Sequence, residues 1–499
     1  MRPRLDLPRD RLLLELGRRG PSTATELAAA LEVSPATALR MLQEAGPAVV
    51  QAGQARSRRY AATRALRGSF QAQPVYGVDE QGGVGTLGEL ALIRPQGSLL
   101  KLQRECWPLP TESRSGWWGG LPYPLLDMRP QGFMARQLAA SVHDALEISA
   151  DPRAWSDDDV LTVLLHHGHD LPGNLLLGDR ALRQWQAERV EDAAPLSERK
   201  LARAYPALAE RALVAGVPGS SAGGEFAKFT ASRDGPHAGA LTPHVIVKFT
   251  GAGGSAAEQR WADLLICEFH AAQALATLAG QQAAACRVLL FGGRTFLEVE
   301  RFDRVGRWGR RPLVSLAMAD AGLVGASARD WPTLLERFER LGLCNANMAT
   351  AAAERWWFGR LVANTDMHHG NLSVQPIQTV DQPARFVLAP SYDMLPMAYA
   401  PLPGGEVPPR DFKPALPLPG EAVAWHNAAA AAVVMWAAVA DDERVSAHFR
   451  HQAQANGQSV QWAIAQDARP LSPPASPTTP PHRPPAPSSR GRAGAGRRA

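Results

Sequence analysis

Cysteine is scarce. The 499 residues hold four, Cys106, Cys267, Cys286 and Cys344, and none stands at a paired spacing. That excludes a disulfide framework and a cysteine-based zinc site, and suits a reducing, cytoplasmic setting. There is also no run of 18 uncharged apolar residues. The Ala-rich stretch 428–440 comes nearest and is too short to span a bilayer, so no membrane partner is expected. The first residues, Met1-Arg2-Pro3-Arg4-Leu5-Asp6, lack an apolar core followed by a cleavage site, so no secretory leader is expected. Acid is missing from one end: residues 468–499 carry six Arg and neither Asp nor Glu. Residues 1–70 hold twelve Arg against six acids, which leaves the span between the two ends net negative. Contact with polyanions is therefore expected at the ends.

What is present is ordinary globular composition, with 45% apolar and 20% charged residues over a length that suits two to four domains. The chain opens with three helical patterns: Arg9 to Arg18; Thr23 to Leu31 after Pro21-Ser22; and Ala36 to Glu44 after Ser34-Pro35, where Ser caps and Pro takes the first helical position. Glu32-Val33 makes the turn between the last two. Val49 to Tyr60 then reads as a hairpin with a basic tip. The pattern is a winged helix-turn-helix spanning 1–68. Its third helix offers Thr37, Arg40 and Gln43 to a major groove, and wing residues Arg56, Arg58 and Arg59 grip phosphate. Double-stranded DNA is the expected partner, with nucleoid association as a consequence.

Residues 69–215 read as a β-containing subdomain, with Leu99-Leu100-Lys101-Leu102 and the Trp-rich stretch from Cys106 to Tyr123, followed by helices over 154–215. The run His166-His167-Gly168-His169-Asp170 does not put three ligands on one helical face and reads as a solvated loop. Residues 216–310 carry turn and strand signals around one helix, and 311–466 are mainly helical. From 467 to 499 a tail with nine prolines from Arg469 onward has nothing to build a core with and reads as disordered.

Four elements stand in an order that phosphoryl transfer needs. Pro218 to Lys228 is rich in Gly and Ser, so its backbone N–H groups can approach phosphates closely. Pro243 to Phe249 is a short apolar strand carrying Lys248, which must find solvent or an anion. Glu268 in the following helix is its natural partner. Arg294 to Arg304 is a strand running into a hinge that offers backbone groups to a base, with Phe302 close enough to line the pocket. Last come Asp366, Asn371 and, after the β-like run Arg385 to Leu388, Asp393. One Asp orients the accepting hydroxyl, the Asn holds a metal, and the later Asp bridges metal and phosphates.

These residues carry a resemblance. Ser220-Ser221-Ala222-Gly223, Val247-Lys248-Phe249, Val299 through Arg304, Asn364-Thr365-Asp366 through Asn371-Leu372-Ser373, and Tyr392-Asp393-Met394-Leu395 are similar to the HipA family of bacterial Ser/Thr kinase toxins. Within it the chain looks like the YjjJ type, with a fused N-terminal helix-turn-helix. The resemblance covers roughly residues 70–455. It implies an α+β, two-lobed protein-kinase-like fold with a mainly helical C-terminal lobe and a kinase using ATP and Mg²⁺. In it Asp366 is the catalytic base, Asn371 and Asp393 are the magnesium ligands, and Lys248 and Lys228 bind ATP phosphates with Ala222, Gly223 and Gly224. Glu300, Arg301 and Phe302 receive adenine, while His368, His369, Gly370, Asn371 and Tyr392 complete the site. Ser220 falls where the family carries an autophosphorylated Ser. The loop here reads Gly223-Gly224-Glu225-Phe226-Ala227-Lys228; it lacks the family's Gln and is one residue longer before Lys228. The resemblance further implies a protein substrate, such as an aminoacyl-tRNA synthetase, growth arrest, and a HipB-like antitoxin as partner. Two alternatives stand beside it. One is a DNA-binding regulator whose kinase-like body senses nucleotide or is inactive. The other is a small-molecule kinase.

Overall fold

The computed structural model describes residues 7–215, 226–235, 239–326, 330–378 and 383–467. Ser220, Ala222, Gly223 and Gly224 and the tail from 468 lie outside these residues.

At the N-terminus the capping residues act as their chemistry demands. The Thr23 side chain and Glu26 form a reciprocal capping box, which starts helix α2 (Ala24–Leu31). Glu32 ends it in the left-handed region at φ 57°. Ser34 then caps α3 (Pro35–Ala45) through the Thr37 N–H. With α1 (Leu7–Arg19) these helices bury Leu12, Leu16, Leu27, Leu31 and Met41 in one small core. The hairpin β1 (Val49–Ala52) and β2 (Arg59–Ala62) closes that core with Tyr60 and Ala62, and β2 also pairs with Ser22–Thr23.

The hairpin's outer side does not face water. Ala61 packs with Ile93, Leu99 and Trp117 of the next sheet. Arg64 grips Asp158 with two bonds of 2.6 and 2.8 Å. That sheet is antiparallel, in the order Trp117–Trp118, β5 (Ser98–Leu102), β4 (Val84–Leu92), β3 (Gln73–Val78), β6 (Leu175–Leu177). Strand β6 corrects the expectation of helices throughout 154–215. Three leucines buried on both faces make a short apolar run, and this one pairs with β3 rather than continuing a helix. Helices α5 (Asp157–His167) and α6 (Gly178–Glu191) pack beside it, while α4 (Gly132–Leu146) and α7 (Leu201–Ala215) pack on each other and on the sheet that follows. The histidine run is likewise no solvated loop. His166 and His167 form the last turn of α5, and Asp170 is the counter-ion of the buried Arg301 and Arg304.

A second antiparallel sheet follows, β7 (Ala227–Ser232) and β8 (His244–Phe249), then β9 (Cys286–Phe291) and β10 (Arg294–Glu300), in the order β9-β10-β8-β7. Alternation along these strands sorts the chemistry onto two faces. Val245, Val247, Phe249 and Phe296 pack against Leu201 and Tyr205 of α7. On that same face Glu298 is buried and accepts from Tyr205, from Arg233 at 2.5 Å and from Arg287 at 3.0 Å. The opposite face carries Lys248 and looks toward α8 (Ala256–Leu275), started by a Ser255/Glu258 capping box.

Helix α8 packs on this sheet and is also tied to what comes after it. Arg260 lies 4.7 Å from the Phe449 ring, Asp263 accepts from Ser446 at 2.6 and 2.8 Å, and His270 bonds Asp442 at 2.8 Å. These partners sit in or beside α11 (Ala422–Asp441) and α12 (Ala447–Asp467), which stack on α9 (Trp331–Arg340) and α10 (Ala346–Leu361). The small ladder β11 (Ser373–Ile377) and β12 (Arg385–Leu388) completes this half. The Ala-rich stretch is longer than the sequence suggested. It runs 20 residues as α11 and, by length and composition, could cross a membrane, yet Trp425, Met435 and Trp436 are wholly buried in the core.

Candidate active site

Strand β8 places Lys248 in an apolar sheet, and a charge there needs partners. It has two. Its ammonium donates to both Glu268 oxygens at 2.6 and 2.7 Å and also bonds Asp393. Burial works against the ammonium, but the charges of Asp393 and Glu268 more than offset this and hold its pKa above the ordinary lysine value. Burial raises the Glu268 carboxyl, with Lys248 opposing. Burial would also raise Asp393, but Lys248 and then Lys228 pull it below the usual carboxylate range. Lys228 stands directly opposite Lys248 across the β7–β8 ladder, so both amines lie on one face.

The Asp366 segment leaves α10 at Ala363, which adopts φ 58°. Gly359 makes the close fit possible, because a Cβ there would come within 2.4 Å of the Met367 sulfur and 3.1 Å of the Met394 sulfur. Buried Asn364 turns the chain by accepting from the Asp366 N–H at 2.9 Å. The Asp366 side chain is left half exposed, 3.7 Å from His368 Nε2. Asn371 reaches back, its Nδ2 donating to the Asp366 carbonyl at 2.8 Å, which leaves its amide oxygen as the outward end. His368 Nδ1 accepts from Gly370 N–H at 3.0 Å, and Trp331 donates to the His368 carbonyl at 3.3 Å. His369 Nε2 is buried without a partner among the described residues. Burial pushes the Tyr392 phenol up, so it stays protonated and donates to the Gly370 carbonyl at 3.0 Å. Its ring stacks on Phe302 at 5.6 Å. Asp393 itself sits at φ 53°, a left-handed conformation unusual outside Gly, which turns its carboxylate back toward Lys248.

The hinge residues divide. The Phe302 ring stands against Tyr392, beside the Asp393 segment. The Glu300 side chain falls on the opposite sheet face, where it accepts from Leu241 N–H at 3.0 Å. Arg301 is bound to Asp170 at 2.8 Å and to Asp303 at 3.1 and 3.2 Å. Only the main chain of these two residues can meet a base.

Two family descriptions match the chain: YjjJ-like toxin, middle domain, over residues 70–186, and HipA-like C-terminal domain over 220–461. Toxin YjjJ of Escherichia coli strain K12 is 37% identical over 443 residues, 89% of this chain and 95% of the relative. The chain belongs to the YjjJ toxin family. Among solved structures, Shewanella oneidensis MR-1 HipA, in complex with HipB and operator DNA, is 16% identical. It covers 79% of this chain and 99% of that one, at a TM-score of 0.45. The Helicobacter pylori proinflammatory kinase CtkA is 10% identical, covering 49% and 93%, at 0.33.

One supporting residue of this YjjJ-family site went unread in the sequence. Arg355 lies wholly buried on α10. It donates to Gln281 Oε1 and the Ala389 carbonyl at 2.6 Å each, and to the Gln282 carbonyl at 3.3 Å. Ser391 N–H bonds the Gln282 carbonyl at 2.8 Å and the Ser391 carbonyl accepts from Ala284 N–H at 2.9 Å, so Arg355 staples together the two segments that carry the chain into Asp393. Burial pulls its guanidinium down to about 10. The only signal was a charge amid the aromatic run Trp356-Trp357-Phe358. Arg355→Met takes the guanidinium donor from Gln281 Oε1 and the Ala389 carbonyl and is expected to cost about 1–3 kcal/mol, read as a lower urea midpoint.

Proposed function

We propose that the protein is an ATP- and Mg²⁺-dependent protein serine/threonine kinase that arrests growth, as the name of its toxin relative suggests. The observation that carries this reading is the buried triad of Lys248 between Glu268 and Asp393, beside a segment that presents Asp366 and Asn371 together. The residues fit the proposed groups. Asn371 and Asp393 offer hard oxygen ligands suited to magnesium, Lys248 and Lys228 offer positive charge to phosphate, and His369 Nε2, without a partner among the described residues, offers a further polar contact. Magnesium, when bound, neutralises charge developing on the β- and γ-phosphates. The chain's own part is placement. Lys248 holds the phosphates, the stacked Phe302 and Tyr392 offer one aromatic wall to the base, and Asp366 accepts a hydrogen bond from a Ser or Thr hydroxyl and aligns it for attack. Ser220 is the proposed autophosphorylation site, in a loop where Ala222, Gly223 and Gly224 would approach phosphate. The substrate is proposed to be a cellular protein, such as an aminoacyl-tRNA synthetase, and a HipB-like antitoxin is the proposed restraint. Transfer of label from γ-labelled ATP to protein Ser or Thr, abolished by EDTA, tests the reading. Labelling of small hydroxyl compounds alone overturns it.

A second activity is supported by the N-terminal helices and hairpin, which we read as a winged helix-turn-helix. Arg40 and Gln43 are exposed on α3, and Arg58 is exposed at the hairpin tip. Thr37 is engaged with Ser34 at 2.9 Å, Arg59 spends one donor on the Pro21 carbonyl at 2.9 Å, and Arg40 stands 3.9 Å from Glu44 in an exposed pair. The Arg56 side chain lies outside the described residues. Arg40→Ala and Arg58→Ala are each expected to weaken duplex binding and to lower the slope of affinity against salt by about one. Fluorescence anisotropy against salt reads both; unchanged slopes in both variants overturn the DNA reading.

A further inference from the structure

A groove of about 710 Å³ runs between α1 and the start of the five-stranded sheet. Its floor is apolar: Leu13 and Leu14 from α1 and Phe70 from the linker, with Leu14 53% and Phe70 58% exposed. Two large apolar side chains left half exposed along one groove give a partner apolar surface to cover. Its rim is charged with one dominant sign. Arg9, Arg18 and Arg94 line it against a single acid, Asp10, and Arg18 is only loosely engaged, 3.8 Å from Glu15. Thr37, Arg40, Gln43 and the hairpin tip take no part in it, so it is separate from the surface read as binding DNA.

The charge pattern sorts the candidate occupants. DNA offers phosphate to the arginines but nothing to cover Leu14 and Phe70. The chain's own residues 1–6 carry Arg2 and Arg4 against one acid, Asp6, and the tail from 468 carries six Arg and no acid, so both are net basic and neither suits a basic rim. A second copy pairing through the same groove would set Arg9, Arg18 and Arg94 against themselves. We propose that the groove receives an amphipathic helix from a different protein, with apolar residues at i, i+3, i+4 and i+7 and Asp or Glu on its flanks. Such a helix covers the apolar floor and meets the arginines at its edges, the helix-in-groove mode. A groove of this size holds two or three anchoring side chains.

The test uses the full chain in its source cells, with the photo-crosslinking amino acid p-benzoylphenylalanine at position 14 or, separately, at position 70. Mass spectrometry then maps the linked peptide. The expected result is one acidic amphipathic segment of another protein, linked from both positions. A synthetic peptide of that segment should bind the purified chain at least tenfold more weakly after Arg9→Glu with Arg94→Glu, while circular dichroism of the variant stays unchanged. A link to a second copy, a basic segment or nothing overturns the proposal, as does a peptide indifferent to the two charge reversals. Neither arm depends on phosphoryl transfer, so its failure and that of the kinase reading are distinguishable.

Discussion

Asp366→Ala is expected to lower phosphoryl transfer by about 10²–10⁴-fold, the range for losing a positioned acid–base group. Nucleotide binding should survive. The Asp366 side chain makes no contact with the Lys248 triad and is half exposed, so the fold loses little with it. The neighbouring order is kept by main-chain atoms: Asn364 holds the Asp366 N–H and Asn371 holds its carbonyl, and an alanine retains both. Phosphosite mapping with growth curves of wild type and variant measures the effect. Equal labelling in the two proteins overturns the kinase reading, and intact duplex binding without transfer in wild type favours the regulator alternative.

The second large effect concerns stability. Lys248→Met removes the cation that Glu268 and Asp393 share. Breaking a buried pair by deleting one partner costs about 3–5 kcal/mol, because it leaves uncompensated charge in a dry site. Here two carboxylates are left facing each other, and both acquire folded-state pKa values above their unfolded ones. A raised carboxyl pKa contributes stability at acid pH that is lost as pH rises through the folded value. The variant should therefore melt closer to wild type at pH 5 than at pH 8. In wild type the sign for Asp393 is the reverse: its depressed pKa contributes stability at neutral pH that is lost on acidification. Melting temperatures of the two proteins across this range decide it, and a gap that widens toward acid contradicts the shared-cation account.

The Lys248–Glu268 pair was legible in the sequence because it follows from a local rule. A lone Lys in an apolar strand needs an anion, and the next helix offered Glu268. Helix caps at Thr23, Ser34 and Ser255 were local in the same sense. What could not be read was set by distant packing. The alternation that turns the Glu300 side chain away from the Lys248 face depends on which sheet face is covered, and α7 decides that through Tyr205. Arg301 goes to Asp170, a residue 131 positions earlier, which the sequence alone left in a solvated loop. Strand β6 forms because β3 offers it an edge, and α11 outruns its alanines because Trp425 and Trp436 have a core to enter.

The attachment of α8 to the C-terminal helices bears on when the site comes into being. Glu268 is synthesised soon after Lys248, but the residues that hold its helix, Asp442, Ser446 and Phe449, leave the ribosome near the end of synthesis. Chains fold as they emerge, N-terminal units first. The three-helix unit and the first sheet can therefore be complete while α8 still lacks its supports. A ribosome stalled before residue 442 carries Lys248, Glu268 and Asp393 without the contacts that brace the Glu268 helix, so the N-terminal groove and hairpin are complete before that triad is secured.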